Sequence, residues 1–280
     1  MGEAETRADR AEAQDTPKVQ LVAVIDIGTT WVRLVIAQID ADGRVEPLES
    51  LQQFVNLGRD TFTKGYIETE TTEQCVEALK SFRRILEEYQ VSAPRQIRAV
   101  ATSAVREAAN RDTFLDRLYI GSGINVEAIE EAEVNRYTYL SVKPILDNEP
   151  ALKNADSLIV EVGGGSTEVL MVRQGEVTLS SSLRLGSLRM RQMLEDFTAP
   201  ADRLPRILDN HIHTAIEQFR HGLSLRRKPV LLALGGDARF AADQFDDGWS
   251  KSGLAELSVA DLNELTQRIL RLSVDDLVRK

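Results

Sequence analysis

Residues 158–172 read LIVEVGGGSTEVLMV, in which two apolar runs flank a turn made of three glycines, a serine and a threonine. Apolar, largely branched residues on both sides of such a cluster predict a strand, a tight turn and a second strand. Residues 19–39, VQLVAVIDIGTTWVRLVIAQI, repeat this layout around the turn DIGTT, with Asp26 standing 135 residues before Glu161. Solenoid repeats have periods of about 20–50 residues, so this spacing indicates the repeat of a whole domain.

The segments around the two hairpins predict alternating helices and strands, which is typical of an α/β protein. Before the second hairpin, we expect a helix over 71–89, a strand over 97–102, a helix over 103–118, a strand over 125–129 and a helix over about 130–142. After it, we expect a helix over about 203–223, a strand over 229–234 and a helix that begins at Gly235-Gly236.

The composition is that of a soluble globular protein, with 280 residues of which 42% are apolar and 28% are charged. The formal net charge of −10 argues against nucleic acid as the main partner, because it leaves no general basic surface. Cys75 is the single cysteine, so no internal disulfide forms, and we expect a reducing, cytoplasmic compartment. No apolar run approaches the roughly 18 residues of a membrane-spanning helix, so we expect no membrane segment.

Domain boundaries are predicted from changes in composition. Residues 1–18 are polar and charged, and we expect them to form a disordered tail. Residues 143–155 contain two prolines among polar residues, which indicates a connection between domains. We therefore expect a first lobe over 19–143 and a second lobe over 144–280.

The glycine-rich turns predict phosphate binding. A turn of Gly, Ser and Thr between two strands directs several backbone N–H groups at one point, and glycine lets the backbone approach a phosphate closely. The run from Gly163 to Thr167 is the stronger of the two, since it has three glycines and two hydroxyl residues. An ordinary hairpin turn is the alternative, but two such turns on matching strands favour phosphate.

Five motifs occur in the chain in a characteristic order. They are IDIGTT, ATSAVREAANRDTF, VEVGGGSTEV, LRLGSLRM and LALGGDARF. In this order they resemble the exopolyphosphatase/guanosine pentaphosphatase (Ppx/GppA) family, from about residue 21 to the C-terminus. The resemblance implies an α/β fold of two ribonuclease-H-like lobes of the actin/hexokinase (ASKHA) type, with a cleft between the lobes. It also implies Mg²⁺-assisted hydrolysis of the terminal phosphoanhydride of polyphosphate or guanosine pentaphosphate, and homodimers, which are common in the family.

The resemblance also assigns roles to residues of this chain. It implies two phosphate-binding loops, an arginine that contacts phosphate, and two acidic residues near the metal ion and the attacking water. The first loop comprises Asp26, Gly28, Thr29 and Thr30, and the second comprises Gly163, Gly164, Gly165, Ser166 and Thr167. The arginine is Arg106, with Asn110 and Arg111 completing its element, and the acidic residues are Glu161 and Glu168. Without the family motif, Arg106 would be interpreted as a surface arginine paired with Glu107 or Asp112.

Two departures from the family affect the catalytic carboxylates. Glu161 stands where the family has aspartate, and it is one methylene longer. The family's general base is a glutamate just before Ala-Arg, and a gap-free alignment places Val134 there, which cannot accept a proton. We expect the adjacent Glu133 to lie nearest the water, although one step along a helix turns a side chain by about 100°. Glu131 is the alternative if the helix start is rearranged, and in a third interpretation Val134 packs with Tyr137 on a buried helix face.

These departures leave two functions open. The first is a phosphoanhydride hydrolase, with Glu133 or Glu131 nearest the water and Glu168 in support. The second is a catalytically impaired protein that binds polyphosphate or a guanosine nucleotide as a sensor or regulator. A sugar or acetate kinase of the same fold is disfavoured, because ATSAVREAANRD resembles none of their motifs. Family members also continue beyond the point where this chain ends, at Lys280, so either the second lobe is shortened or the sequence is a piece of a longer protein.

Three further groups have weaker signals. His211 and His213 are expected on the surface of a helix, because no cluster of acids or cysteines accompanies them to make a metal site. Gly235-Gly236-Asp237 resembles the family's third, nucleotide-side loop. Arg184 and Arg189 are expected to add positive charge at the cleft.

Overall fold

Two β-sheets organise the chain, and each belongs to a different compact unit. The computed structural model describes residues 19–196, 203–220, 222, 228–245, 249 and 253–272. The first unit contains the described residues up to Leu57 together with Ile67–Ala128, and the second contains Gly58–Tyr66 and the described residues from Ile129 onward. The predicted tail at residues 1–18 lies outside the described residues.

The strands of the first unit form one sheet in the order β3-β2-β1-β4-β5. They are β1 (Gln20–Ile27), β2 (Trp31–Ile39), β3 (Val45–Phe54), β4 (Ile97–Ala101) and β5 (Val126–Ala128). The pairs β1/β2 and β2/β3 are antiparallel, whereas β4 lies parallel to β1 and β5 lies parallel to β4. Every second residue at the end of β1 is buried, as expected for a strand with one face in the core.

The helices that precede residue 129 are α1 (Leu57–Lys64), α2 (Thr69–Glu88), α3 (Ser103–Arg106) and α4 (Arg111–Ser122). The predicted helix over 71–89 is confirmed as α2. It buries one side at the spacing of an amphipathic helix, and the buried apolar residues are Cys75, Ala78, Leu79, Phe82 and Leu86. From Gly58 onward, α1 belongs to the second unit although it follows β3 in the chain.

The strands of the second unit form a sheet in the order β8-β7-β6-β9. They are β6 (Ser157–Val162), β7 (Thr167–Arg173), β8 (Glu176–Leu183) and β9 (Val230–Leu234). As in the first sheet, the hairpin strands β6 and β7 are antiparallel, and a later strand, β9, lies parallel to the first hairpin strand. The predicted α/β fold is therefore confirmed, and each of the two units contains one mixed sheet.

The two hairpins have the same register, which confirms the internal repeat. Asp26 pairs with Arg33 across β1 and β2. Glu161 pairs with Glu168 across β6 and β7, so both partners are displaced by the same number of residues. One turn in each unit therefore connects two central strands and leaves its polar residues at the same edge of the sheet.

The helices of the second unit are α5 (Glu131–Asn148), α6 (Pro150–Lys153), α7 (Ser187–Asp196), α8 (Leu204–Arg220), α9 (Gly236–Phe245) and α10 (Val259–Ile269). Apolar residues of α5 and α6 form one buried cluster with the sheet, and its members are Val142, Leu146, Leu152, Ile159, Leu170 and Val172. In the part of the chain that the structure describes, no helix combines the length and the apolar character needed to span a bilayer.

The second unit begins earlier than the predicted lobe boundary between residues 143 and 144. That boundary falls inside α5, whereas the compact units change over between Ala128 and Ile129. The reason is that Val142 and Leu146 on α5 pack against Ile159 of β6, so the helix belongs to the second sheet along its length. The prolines near this boundary lie inside α5 and at the start of α6 and do not mark a linker.

The predicted single helix over 103–118 is wrong, because the chain forms α3 and α4 with a break between Arg106 and Arg111. Asn110 lies at the end of this break. Its Oδ1 accepts a hydrogen bond from the N–H of Ile67 at 2.9 Å, and its Nδ2 donates to the carbonyl of Ile67 at 2.8 Å. The Asn110 side chain thus pairs with both backbone groups of Ile67 and fixes the segment just before α2.

Asn110→Ala is expected to destabilise the protein by about 1–3 kcal/mol, because it removes both partners of the Ile67 backbone groups. The free energy of unfolding, measured by urea denaturation, checks this value. Asn148→Ala is the matched control, since the Asn148 side chain makes an exposed bond to the carbonyl of Pro144. Equal stability of both variants would contradict the role of Asn110.

Candidate active site

The second glycine-rich turn, at residues 163–166, is held from one side by the start of α7. The N–H of Ser187 donates to the carbonyl of Gly163 at 2.9 Å, and the N–H of Leu188 donates to the carbonyl of Gly164 at 2.9 Å. Arg189 Nε donates to the carbonyl of Gly165 at 2.7 Å. The loop carbonyls are therefore occupied by α7.

The amides of the same loop remain available. The N–H of Gly163 donates to the carbonyl of Ser166 at 2.9 Å and closes the turn. Within the described part of the chain, the amides of Gly164, Gly165 and Ser166 have no hydrogen-bond partner. Adjacent backbone N–H groups without protein partners form a site for an anion. This arrangement is what the sequence predicts for a phosphate loop.

Gly186 allows α7 to approach this loop. A Cβ atom at Gly186 would lie 2.3 Å from the carbonyl carbon of Gly165 and 2.4 Å from the carbonyl carbon and oxygen of Gly164. No side chain fits there, because the contacts are with backbone that cannot move aside. The hydroxyl of Thr167 donates to the carbonyl of Leu185 at 2.8 Å and fixes the segment before Gly186. The LRLGSLRM motif therefore packs against the backbone of the glycine-rich loop and fixes its conformation.

Two carboxylates lie next to this loop. Glu161 and Glu168 are directly opposite each other on β6 and β7, which places their Cβ atoms about 4.5–5.5 Å apart. Glu168 is buried, and its Oε1 accepts hydrogen bonds from Ser166 Oγ at 2.7 Å and Ser182 Oγ at 3.0 Å. Hydroxyl donors stabilise the charged form of a buried carboxylate. Sequence reasoning missed Ser182, because it lies on β8, a strand that was not predicted.

The longer side chain of Glu161 reaches helix α5. Thr138 Oγ1 donates to Glu161 Oε2 at 3.0 Å, and Thr138 is 5% exposed. The extra methylene relative to aspartate therefore gives this carboxylate a donor on the neighbouring helix. Sequence reasoning did not identify Thr138, although its spacing of four residues from Val142 placed it on the same face of the helix as that apolar residue.

The structure places Glu133 on a different face of α5 from Thr138. The Glu133 Oε1 atom accepts a hydrogen bond from the Tyr137 hydroxyl at 2.6 Å, and Tyr137 is 37% exposed. The face of α5 that packs on the sheet carries Asn135 and Thr138, and Glu133 is turned from Asn135 by about 200°. Val134 lies between these faces and is half-buried, so the interpretation in which Val134 and Tyr137 share a buried face is wrong.

Glu131 is on the same side of α5 as the face that packs on the sheet. It precedes Asn135 by four residues, which places both on one stripe of the helix. Glu131 is exposed and lies in the first turn of α5. Of the two acids that the sequence offers near position 134, Glu131 is therefore aligned with Thr138 and Glu133 is not.

The first glycine-rich turn, at residues 28–30, has a similar construction. The N–H of Gly28 donates to the carbonyl of Trp31 at 3.0 Å, as in the second turn. Thr29 is buried, and in the described residues the amides of Thr29 and Thr30 have no hydrogen-bond partner. Asp26 lies opposite Arg33, so the acidic residue of this turn has a basic neighbour across the hairpin.

The ATSAVRE motif lies beside the first turn. The N–H of Thr102 donates to the carbonyl of Ile27 at 3.1 Å, which brings the end of β4 to the start of the turn. Arg106 is one helical turn further on, with its N–H donating to the Thr102 carbonyl at 2.9 Å. The structure thus brings Arg106 and the first loop to the same edge of the first sheet. Arg111 instead pairs with the neighbouring Asp112 at 2.9 Å, on the exposed surface.

The groups with weaker sequence signals lie on the surface or take part in structural contacts. His211 and His213 are exposed on α8, and His213 lies 3.7 Å from Asp209, as expected for surface histidines. Arg189 is used by the loop, and its guanidinium also lies 4.0 Å from the centre of the Phe62 ring. α9 begins directly after Gly235, as predicted.

The donor set beside the second loop fits Mg²⁺. Among the described residues, no group of three or more His, Cys, Asp or Glu side chains is placed to hold a metal ion. Mg²⁺ does not need one, because proteins usually bind it through one or two carboxylates while water and substrate phosphates complete the shell. The facing carboxylates of Glu161 and Glu168 supply donors of this kind, next to the loop where a phosphate would bind.

Comparisons with known proteins find relatives that are named as a phosphatase and as exopolyphosphatases. The chain is 28% identical over 177 residues to the bifunctional 3-dehydroquinate synthase/phosphatase of Fusobacterium nucleatum, covering 61% of this chain and 26% of that protein. It is 27% identical over 176 residues to exopolyphosphatase 1 of Mycobacterium tuberculosis, covering 62% of this chain and 49% of that protein. The chain thus spans half or less of the length of these relatives.

The fold is also that of a solved exopolyphosphatase from Cytophaga hutchinsonii. The two structures superpose with a TM-score of 0.75 at 26% identity, over 90% of this chain and 80% of that chain. A model of the Ppx/GppA phosphatase family matches residues 35–277, which include the second loop, Arg106 and both carboxylates. The resemblance predicted from the five motifs is therefore confirmed, and the chain belongs to the Ppx/GppA phosphatase family.

Proposed function

We propose that this protein hydrolyses the terminal phosphoanhydride bond of inorganic polyphosphate or of guanosine pentaphosphate. The observation that carries the proposal is the loop at residues 163–166, where three adjacent amides lack partners among the described residues and a pair of carboxylates lies alongside. Backbone amides bind phosphate oxygens without needing a basic surface. A protein with a net charge of −10 requires such local donors to bind a polyanion.

The proposed roles follow from the chemistry of each group. The amides of Gly164, Gly165 and Ser166 would bind oxygens of the terminal phosphate. The amides of the first loop would bind phosphate oxygens in the same way, and Arg106, at the same edge of the first sheet, would add a guanidinium, whose fork of donors suits paired phosphate oxygens. Phosphoryl transfer depends mainly on positioning and electrostatic stabilisation of this kind.

We propose that Glu161 and Glu168 hold Mg²⁺ when substrate is present. The bound ion would neutralise part of the charge on the phosphate oxygens. The hydroxyls of Thr138, Ser166 and Ser182 donate to these two carboxylates. The site therefore tolerates two like charges on neighbouring strands, which alone would be destabilising.

The substrate class is proposed from the names of the relatives. The proteins from M. tuberculosis and C. hutchinsonii are named exopolyphosphatases, so we propose polyphosphate first and guanosine pentaphosphate second. A cytoplasmic location and a homodimer stay predictions.

A catalytically impaired binding protein is the second candidate, and Val134 is the observation that favours it. A gap-free alignment with the family motif places Val134 at the position of the general base, and valine cannot accept a proton. Such a protein would bind polyphosphate or a guanosine nucleotide through the same loops, without turnover.

Val134→Glu separates the two candidates. We expect the unmodified protein with Mg²⁺ to release phosphate from long-chain polyphosphate, and Val134→Glu to be faster by about 10²-fold, the lower end of what a general base contributes. Val134→Gln is the matched control, because glutamine has the same size and no basic carboxylate. A silent unmodified protein that binds polyphosphate, with activity only in Val134→Glu, would establish the binding candidate.

Gly186→Ala tests the phosphate loop. The new methyl group would displace the backbone of Gly164 and Gly165, so we expect kcat/KM to fall by about 10²-fold or more. Gly222→Ala is the matched control, because the nearest atom to a Cβ there is at 3.5 Å, an ordinary contact distance. Steady-state phosphate release measures both variants, and an unchanged Gly186→Ala would show that this loop does not bind substrate.

Glu161→Gln and Glu168→Gln test the metal site. Each removes one charge from the proposed Mg²⁺ ligands, so we expect the half-saturating Mg²⁺ concentration to rise by about 10-fold or more. Glu176→Gln, at an exposed position at the start of β8, is the control and should not change it. A rate that is independent of Mg²⁺ in the unmodified protein would refute the metal proposal.

A further inference from the structure

The side of α5 that faces the sheet changes from apolar to polar along its length. Val142 and Leu146 pack in the core with Ile159 of β6. One turn earlier on the helix, Thr138 is hydrogen-bonded to Glu161, two residues further along β6. The helix and the strand therefore approach the phosphate loop together, and the next residue on this side of α5 is Asn135.

Asn135 is buried without a complete set of partners. It is 6% exposed, and its Oδ1 atom is buried with no hydrogen-bond partner among the residues that the structure describes. A buried amide oxygen that lacks a donor lowers stability, so such atoms in native proteins usually bind an ordered water or a ligand. The amide of Asn135 is therefore prepared to accept a hydrogen bond from a molecule outside the protein.

The position of Asn135 indicates that the molecule that donates to its Oδ1 atom lies at the phosphate loop. Asn135 and Thr138 are three residues apart on one helix face, which places their Cβ atoms about 5–6 Å apart. Thr138 lies at the level of Glu161, and the step to Asn135 continues in the direction in which β6 runs toward Gly163. Asn135 is thus beside the loop whose amides would bind the terminal phosphate.

We infer that Asn135 Oδ1 binds and orients the water that attacks the terminal phosphate. This inference rests on the proposed hydrolysis and names the residue that replaces the missing base. The water oxygen forms a bond to phosphorus while the bond to the bridging oxygen breaks, and the leaving chain keeps that electron pair. The proton of the water passes to an oxygen of the phosphate being released, so no protein carboxylate is needed to accept it.

A neutral amide is chemically sufficient for this role. Catalysis of phosphoryl transfer relies on positioning more than on proton abstraction, and a glutamine side chain orients the attacking water in some GTPases. In this chain the polar group is displaced by one residue, from the base position at Val134 to Asn135. That step turns the side chain by about 100° around the helix, toward the sheet and its loop.

Asn135→Leu and Asn135→Asp test the inference in the full chain, with phosphate release from polyphosphate as the readout. Leucine has a similar size and cannot accept a hydrogen bond, so we expect kcat to fall by about 10²-fold with an unchanged KM. The melting temperature should stay equal or rise, because a buried acceptor without a partner is removed. Aspartate keeps an oxygen at the same place and is expected to retain kcat within about tenfold.

Ser157→Ala is the matched control. Ser157 also has a buried hydroxyl without a partner in the described residues, but it lies at the opposite end of β6 from the loop. We expect kcat within twofold of the unmodified protein and an equal or higher melting temperature. A loss of activity in Ser157→Ala as large as in Asn135→Leu would overturn the inference, since the effect would then belong to any buried polar group.

The outcomes separate this inference from the proposed function. An active unmodified protein whose Asn135→Leu variant keeps its kcat overturns the inference alone. An unmodified protein that releases no phosphate from either substrate overturns the proposed hydrolysis and the inference with it. If Asn135→Leu does not fold, Asn135→Ser replaces it. If the folded serine variant loses kcat and Asn135→Asp does not retain it, the inference is also overturned.

Discussion

The close contact of Gly186 with the backbone of Gly164 and Gly165 is the constraint on which the rest of the second site depends. It allows the first N–H groups of α7 to bind the loop carbonyls, which turns the loop amides away from the helix. A helix N-terminus usually offers its own amides to an anion. Here the amides of α7 bind the carbonyls of the loop, so the proposed anion site is formed by the loop amides, beside the carboxylates of β6 and β7.

The two hairpins of the internal repeat have the same layout but carry differently charged residues at the same register. In the first unit the residues that face each other are Asp26 and Arg33, whose charges attract. At the same register in the second unit stand Glu161 and Glu168, whose charges repel unless donors or a cation are present. The hydroxyl donors from α5, the loop and β8 meet that need. The second unit is therefore the one in which we propose the divalent cation.

Local patterns explain which parts of the structure could be predicted. The hairpins, α2 and the glycine loops follow from residues close in sequence, and all are present. β3 and β8 were missed because edge strands are largely exposed and lack a continuous apolar run. Thr138 and Ser182 were missed because their partners, Glu161 and Glu168, lie 23 and 14 residues away. The face of α5 that carries Glu133 could not be assigned either, since it depends on which side of the helix packs on the sheet.

Val134, where the family resemblance implies a general base, is less decisive for function than its position in the motif suggests. A residue at 134 lies at the edge of the side of α5 that packs on the sheet, whereas Asn135 lies within it and is buried. Selection for stability alone would favour an apolar residue at Asn135, because its oxygen has no donor among the described residues. Residues that lower stability in this way are expected at functional sites. We therefore propose that the amide at Asn135 reflects a changed way of holding water and not decay of the site.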